Sequence, residues 1–173
     1  PEATREVLDA NGWLHTGDIG TFEDGKFLKI TDRKKEMFKT SGGKYITPQR
    51  MENKLKESRF IEQAMVIGEN EKFPAVFIVP AFAFIKQWCE KRNIACTSNE
   101  AIIKNAEVID RIWKEVEEAN KDWAHYEQIK KMELLPREWT INDGEMTPKL
   151  SLKRKVILNT FKENYDRIYK HSI

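Results

Sequence analysis

Between Thr31 and Thr47 the chain reads TDRKKEMFKTSGGKYIT, and this stretch limits what the whole sequence can build. Two short apolar runs, Met37-Phe38 and Tyr45-Ile46, flank Gly42-Gly43. The pattern is strand, glycine turn, strand. Thr47-Pro48 then reads as a helix start, with Thr47 as N-cap and Pro48 in the first turn. Four consecutive charges, Asp32-Arg33-Lys34-Lys35, stand at the mouth of the first strand, more than a folding signal requires. The stretch divides the chain into a β-rich part before it and a mixed part after it.

Upstream, residues 1–11 read as a helical or irregular lead-in, ended by the turn signal Asn11-Gly12. Trp13-Leu14-His15 is a short strand candidate, stopped by Thr16-Gly17-Asp18. Thr21–Glu23 and Lys26–Ile30 flank Asp24-Gly25, a pair suited to a type I′ hairpin, which needs positive φ at both central residues. Residues 1–34 carry too few apolar side chains for a core of their own. They are expected to lean on protein outside this chain, or to pair their open strand edges with a second copy.

Downstream, a helix is expected from Pro48 to about Ser58, burying Met51 and Leu55. Strands are expected over 62–68 (EQAMVIG), 75–79 (AVFIV) and 129–135. Phe84, Ile85, Trp88 and Cys89 have helical spacing within 82–92. Thr97 with Glu100 has the form of a capping box. The 107–120 segment carries Val108, Ile109, Ile112, Trp113 and Val116 as one stripe. Residues 139–148 read as a loop turning at Asn142-Asp143-Gly144, and 151–170 as a closing helix with Ile157, Phe161, Tyr165 and Ile168 at spacings of three and four. Helices and strands that do not strictly alternate predict an α+β fold with a small sheet.

The 173 residues, 40% hydrophobic and 34% charged, suffice for one domain with a core, or for a small domain and an appendage. A net charge of only +2 argues against nucleic acid as a partner. No apolar run approaches the roughly 20 residues that span a bilayer, and no secretory signal is visible. Cys89 and Cys96 lack metal-ligand partners at useful spacing, and His15, His125 and His171 are scattered. Reduced thiols in a cytoplasmic setting are the expectation. Because the sequence starts at Pro1 in a polar segment, it is expected to be a piece of a longer protein.

Alone, Asp18 reads as an ordinary loop aspartate, Arg33 as half of a surface ion pair, and Trp88, Trp113 and Phe161 as core. The basic run Lys149–Lys155 reads as a solvated helix start. In combination the motifs say more. Trp13–Asp18, the Asp-Gly hairpin, Ile30–Glu36, Ser41–Ile46 and the proline-started helix are followed by Glu62–Pro80, Met146-Thr147-Pro148-Lys149 and Leu152-Lys153-Arg154. In that order and spacing, covering nearly the whole chain, they resemble the adenylate-forming enzymes: acyl-CoA synthetases, adenylation domains and luciferases. The DRKKE and TSGGKYI forms look most like the long-chain fatty acid–CoA ligase branch.

The resemblance implies a C-terminal domain with a small three-stranded mixed sheet flanked by helices, spanning 35–173, preceded in 1–34 by a β-hairpin from the end of a large AMP-binding domain. Asp18 matches the aspartate that holds ribose hydroxyls, Arg33 a nucleotide-contacting arginine, and Lys35 the hinge about which the C-terminal domain turns. Gly42, Gly43 and Lys44 match the loop that approaches the pantetheine arm of CoA. Relatives also bring a lysine into the adenylation site, usually directly after a glycine. No Gly-Lys pair occurs near the end of this chain, which leaves Lys149, preferred for its reach in a loop, and Lys153 as alternatives. Substrates would be a fatty acid, ATP and CoA, with Mg²⁺ and most ATP contacts in the large domain. Two other readings stay open: transfer of the acyl group to a carrier protein, and a non-catalytic binding module. Lipid-partitioning substrates imply peripheral contact with a membrane. On this reading residues 1–173 alone carry no ligase activity, and robust acyl-adenylate formation by the isolated chain would overturn it.

Overall fold

The computed structural model describes residues 2–170; Pro1 and residues 171–173, His171 among them, lie outside the described residues. After α1 (Glu2–Val7), the expected strand at Trp13–His15 is reduced to a single bridge between Leu8 and Leu14. The carboxylate of Asp9 accepts the amides of Asn11 and Trp13 at 2.9 and 3.0 Å and curls the segment into a turn. The hairpin forms where the Asp-Gly pair predicts it, between β1 (Asp18–Glu23) and β2 (Phe27–Arg33). Asp24 and Gly25 have φ of 52° and 65°, and the Lys26 amide closes the turn on the Glu23 carbonyl at 3.1 Å. Both strands run further toward their open ends than the alternation suggests. Asp18 and Arg33 therefore become cross-strand partners.

Beyond a turn over 34–36, β3 (Phe38–Lys39) and β4 (Tyr45–Ile46) form the two-stranded ribbon read from the sequence. Gly43, with φ of 75°, supplies the left-handed residue of its turn. α2 (Pro48–Leu55) starts at its proline, but Thr47 makes no side-chain cap bond and the helix stops short of Ser58. The main sheet consists of β5 (Ile61–Ile67), β6 (Ala75–Pro80) and β7 (Lys131–Leu134). β5 and β6 pair antiparallel, β6 and β7 parallel, which makes the sheet three-stranded and mixed, as expected. β6 is the central strand. Its unbroken run Ala75–Val79 is fully buried, as a strand covered on both faces must be.

The parallel β6–β7 pair needs a long crossover, supplied by α3 (Phe82–Glu90), α4 (Asn99–Lys104) and α5 (Ala106–Asn120). α4 is capped one residue later than the sequence suggests: Ser98, not Thr97, accepts the Ala101 amide at 3.2 Å. α5 buries Val108, Ile112, Val116 and Ala119, while Ile109 at the flank of the expected stripe is exposed. The single closing helix is in fact two, α6 (Arg154–Thr160) and α7 (Lys162–Tyr169). The helix breaks where Phe161 turns its ring onto Phe77 of β6, the centroids 6.4 Å apart.

The buried apolar core begins at Ile46 and ends at Ile168 among the described residues. Before Ile46, Trp13, Leu14, Phe22, Phe27, Leu28 and Ile30 are all more than half exposed. Gly68, just after β5, has φ of 130°, and a Cβ there would lie 2.8 Å from the Phe73 carbonyl oxygen and 2.9 Å from the Tyr169 hydroxyl. Gly68→Ala is expected to destabilise the chain by about 2 kcal/mol or more. Gly43→Ala, which meets nothing within 4 Å, is expected to cost less than half of that. Chemical denaturation of the two variants checks the order.

Candidate functional site

The hairpin brings the two nucleotide-side candidates together. Cross-strand pairing puts the Arg33 Nε 3.3 Å from the Asp18 carboxylate, in a largely exposed pair. The Lys34 amide donates to the Gly17 carbonyl at 2.8 Å, which fixes the strand ends beside them. Lys35 follows at once, exposed, in a turn closed by the Glu36 amide on the Arg33 carbonyl at 2.9 Å. The hinge candidate therefore sits in the shortest connection between the hairpin and the β3–β4 ribbon.

The Gly42-Gly43 turn is held at its base, where the Thr40 amide donates to the Lys44 carbonyl at 3.0 Å. Two backbone bonds join it to the β5–β6 loop: Ser41 N–H to the Glu71 carbonyl at 2.9 Å and Asn70 N–H to the Lys39 carbonyl at 2.8 Å. The Tyr165 hydroxyl donates to the Glu71 carboxylate at 2.9 Å and ties α7 to the same loop. The glycines stay exposed. The Lys44 ammonium stands 5.7 Å from the Tyr126 ring centroid.

Lys149 and Lys153 share one tightly folded loop. A bridge between Met146 and Leu152 closes it, the Thr147 amide bonds the Ser151 carbonyl at 2.9 Å, and Leu150 takes a φ of 60° at the tip. Lys149 is exposed at that tip. Lys153 is exposed too, but it occupies the N-cap position of α6, and its amide donates to the Glu145 carbonyl at 2.8 Å. Among the described residues no hydrogen bond or ion pair joins either lysine to Asp18 or Arg33.

Two arginines bracket this loop, and the sequence pattern does not reveal either. Arg137 grips the buried Glu145 through both guanidinium ends at 2.8 and 2.7 Å, and the bond to Glu145 holds the Arg137 guanidinium protonated above the usual arginine range. At the other end Arg154 donates to both oxygens of the buried Glu52 at 2.8 Å each and to the Val66 carbonyl at 3.1 Å. It also lies 3.6 Å from Glu36. The Val66 amide donates to Glu52 at 2.7 Å. Burial pushes the Glu52 carboxyl up to about 7, against the pull of Arg154 and the Val66 amide. Asp32, with no exposed surface, is also raised by burial; the Arg33 amide, donating at 2.6 Å, opposes this and Glu36 adds to it. Lys35, Glu36 and Arg154 line one cleft of about 490 Å³ with an apolar floor that includes Phe38 and Met65. The available signal for Glu52 was its place in α2, beside Met51 and three residues from Leu55, on the stripe that faces the core.

Among the described residues no group of three or more His, Cys, Asp or Glu side chains could hold a metal ion, and no helix is long and apolar enough to cross a membrane.

A mixed three-stranded sheet followed by a bracketed lysine loop, entered through a charged turn, is the architecture of a particular domain class. Residues 36–172 match the AMP-binding enzyme C-terminal domain, and the chain belongs to that family. It is 36% identical over 172 residues to long-chain-fatty-acid–CoA ligase 1 of Homo sapiens, covering 98% of this chain and 24% of that protein. With long-chain-fatty-acid–CoA ligase FadD15 of Mycobacterium tuberculosis the identity is 34% over 169 residues, 97% of this chain and 28% of the relative. The chain thus spans about a quarter of the length of the curated relatives it matches. In fold it resembles the A domain of a carboxylic acid reductase from Segniliparus rugosus, solved with AMP and a co-purified carboxylic acid. The TM-score is 0.79 at 19% identity, over all of this chain and 26% of that one. The adenylation domain of a carboxylate reductase from Mycobacterium chelonae gives a TM-score of 0.76 at 19% identity, over 97% of this chain and 25% of that one.

The Glu52–Arg154 pair carries a pH signature. Unfolded, Glu52 loses its proton near 4.5; folded, it holds it to about 7. Across that window the folded state keeps a proton that the unfolded state has released. The contribution of this group to stability therefore falls as pH rises from about 4.5 to about 7 and is level above. Wild type is expected to lose on the order of 3 kcal/mol relative to Glu52→Gln across the window. Parallel stability–pH curves for the two proteins would contradict this.

Proposed function

We infer that this chain supplies the hinge and the mobile C-terminal domain of an ATP-dependent long-chain fatty acid–CoA ligase. The observation that carries the reading is the likeness to such ligases over 98% of the chain at 36% identity. The geometry supports it in detail. The Asp18–Arg33 pair offers a carboxylate for vicinal ribose hydroxyls and a guanidinium for neighbouring oxygens. The matched domain begins at residue 36, one residue past Lys35, which supports a boundary between residues 34 and 35 with Lys35 as the swivel. The exposed apolar side chains of the hairpin fit a segment that packs on the rest of a large AMP-binding domain.

In the first half-reaction the fatty carboxylate attacks the α-phosphorus of ATP, and acyl-adenylate forms as pyrophosphate leaves. An ammonium from the 147–153 loop stabilises the charge that develops between carboxylate and phosphate. Mg²⁺ would travel with the nucleotide on the large domain. Rotation at Lys35 then withdraws the loop and brings the Gly42-Gly43 turn toward the site. With no side chains there, backbone can lie along a narrow pantetheine tunnel, and Lys44 stands ready for a CoA phosphate. The CoA thiol attacks the acyl carbonyl and releases AMP.

Lys149 is the preferred ammonium because it stands at the exposed tip, whereas the Lys153 backbone is bound to Glu145. In the full-length protein Lys149→Ala is expected to slow acyl-adenylate formation about 100- to 1000-fold, and Lys153→Ala less than 10-fold. Pyrophosphate exchange with palmitate measures both, and the reverse order would transfer the role to Lys153. AMP release that depends on CoA distinguishes a CoA ligase from an enzyme that needs an acyl-carrier protein.

A further inference from the structure

The Arg154 side chain does more than seal the end of α6. It meets two carboxylates from two segments, and a third acid lies within reach of its charge. Glu52 lies on α2 and Glu36 in the turn directly after Lys35. Asp32, at the end of β2, is fully buried and feels the Arg154 charge. One cation therefore faces three acids in a cluster largely closed to water. Asp32 Oδ2 and Arg154 Nε are both buried without a hydrogen-bond partner, so the cluster is not at its best pairing in this conformation. Asp32 precedes Lys35 and Arg154 follows it, and the lysine loop ends at Arg154. Lys35 thus stands between Asp32 and the Glu36–Glu52–Arg154 group, and a turn of the backbone there moves Asp32 relative to that group.

We propose that Arg154 is a positioning residue for the adenylation half-reaction: through Glu36 it couples the start of α6, and the lysine loop ahead of it, to the hinge turn. The coupling rests on the reading above, in which a lysine of this loop serves adenylation. Glu52 is the fixed anchor, both of its carboxylate oxygens accepting from Arg154 Nη2. Glu36 is the adjustable contact, half-buried and 3.6 Å away. Arg154 stays ion-paired through Glu52 when Glu36 is neutralised, so the fold survives while the link to the hinge is lost. In the second half-reaction the loop is withdrawn, and its placement no longer matters.

The full-length Glu36→Gln variant tests this, with Arg154→Lys beside it, since an ammonium has no second arm to hold the Val66 carbonyl while it meets Glu52 and Glu36, as Nη1 and Nη2 of Arg154 do. The expected result for Glu36→Gln is a fall of about 10-fold in the rate of palmitate-dependent pyrophosphate exchange. Thiolysis of supplied palmitoyl-adenylate by CoA should stay within twofold of wild type and the unfolding temperature within about two degrees. Arg154→Lys should show the same split between half-reactions even if it is less stable. Adenylation at the wild-type rate in Glu36→Gln, or an equal fall in both half-reactions, overturns the proposal. A wild-type protein that is active as a ligase while Glu36→Gln is unaffected removes only this coupling. A wild-type protein that forms no acyl-adenylate removes the ligase reading and the coupling with it.

Discussion

A buried carboxylate–guanidinium pair, Glu52 with Arg154, joins segments 102 residues apart and decides how the two ends of the domain meet. Pairs of this kind are poor sources of net stability, because desolvation consumes most of the Coulombic gain. Their value lies in how badly the alternatives do. A helix α6 shifted by one turn would strand a carboxylate among Met51, Leu55 and Met65, all buried. The pair therefore selects one packing of α6 on the sheet. Through that packing it sets where the 147–153 loop stands.

The loop is the more constrained for having a second clamp. Arg137 and Glu145 close its other end with a two-point bond, and the Gln63 side chain exchanges hydrogen bonds with Trp139 in both directions, at 3.0 and 2.7 Å. A lysine at the tip is then carried by a short, braced arm on a rigid body. Catalytic placement depends on such bracing, since small displacements of a charged group cost much of its effect. The turn at Lys35 has the opposite character: it is short, Lys35 itself is exposed, and its tie to the domain interior is Glu36 with Arg154. Rigidity on one side and a simple joint on the other suit a domain that moves as a unit.

The α+β class, the glycine ribbon and the Asp-Gly hairpin were legible in local signals: the apolar run of Ala75–Val79, paired turn glycines, a proline at a helix start. That the sheet is mixed came only with the family resemblance, since no local pattern tells a parallel neighbour from an antiparallel one. What the sequence obscured was decided by contacts between distant residues. The break at Phe161 follows from the ring of Phe77 below it. The missing strand at Trp13 follows from a carboxylate that competes for its amides. Asp18, Arg33 and Lys35 stood out only as an ordered set of motifs, because each alone looks like an ordinary surface residue. Glu52 and Arg154 were invisible as a pair, since no local pattern says which buried acid meets which base.

The sheet itself has an ordering in time. β6 can pair with β5 across a short loop, yet its other neighbour, β7, arrives only after three helices have been made, and Arg154 only some twenty residues after that. Contacts of such long sequence separation form late. As the chain leaves the ribosome, one edge of β6 and the carboxylate of Glu52 wait uncovered for most of the time the domain takes to be synthesised. The open edge of an apolar central strand is where a nascent chain most needs shielding, so the order of the elements leaves β6 half-paired until the final third of the domain emerges.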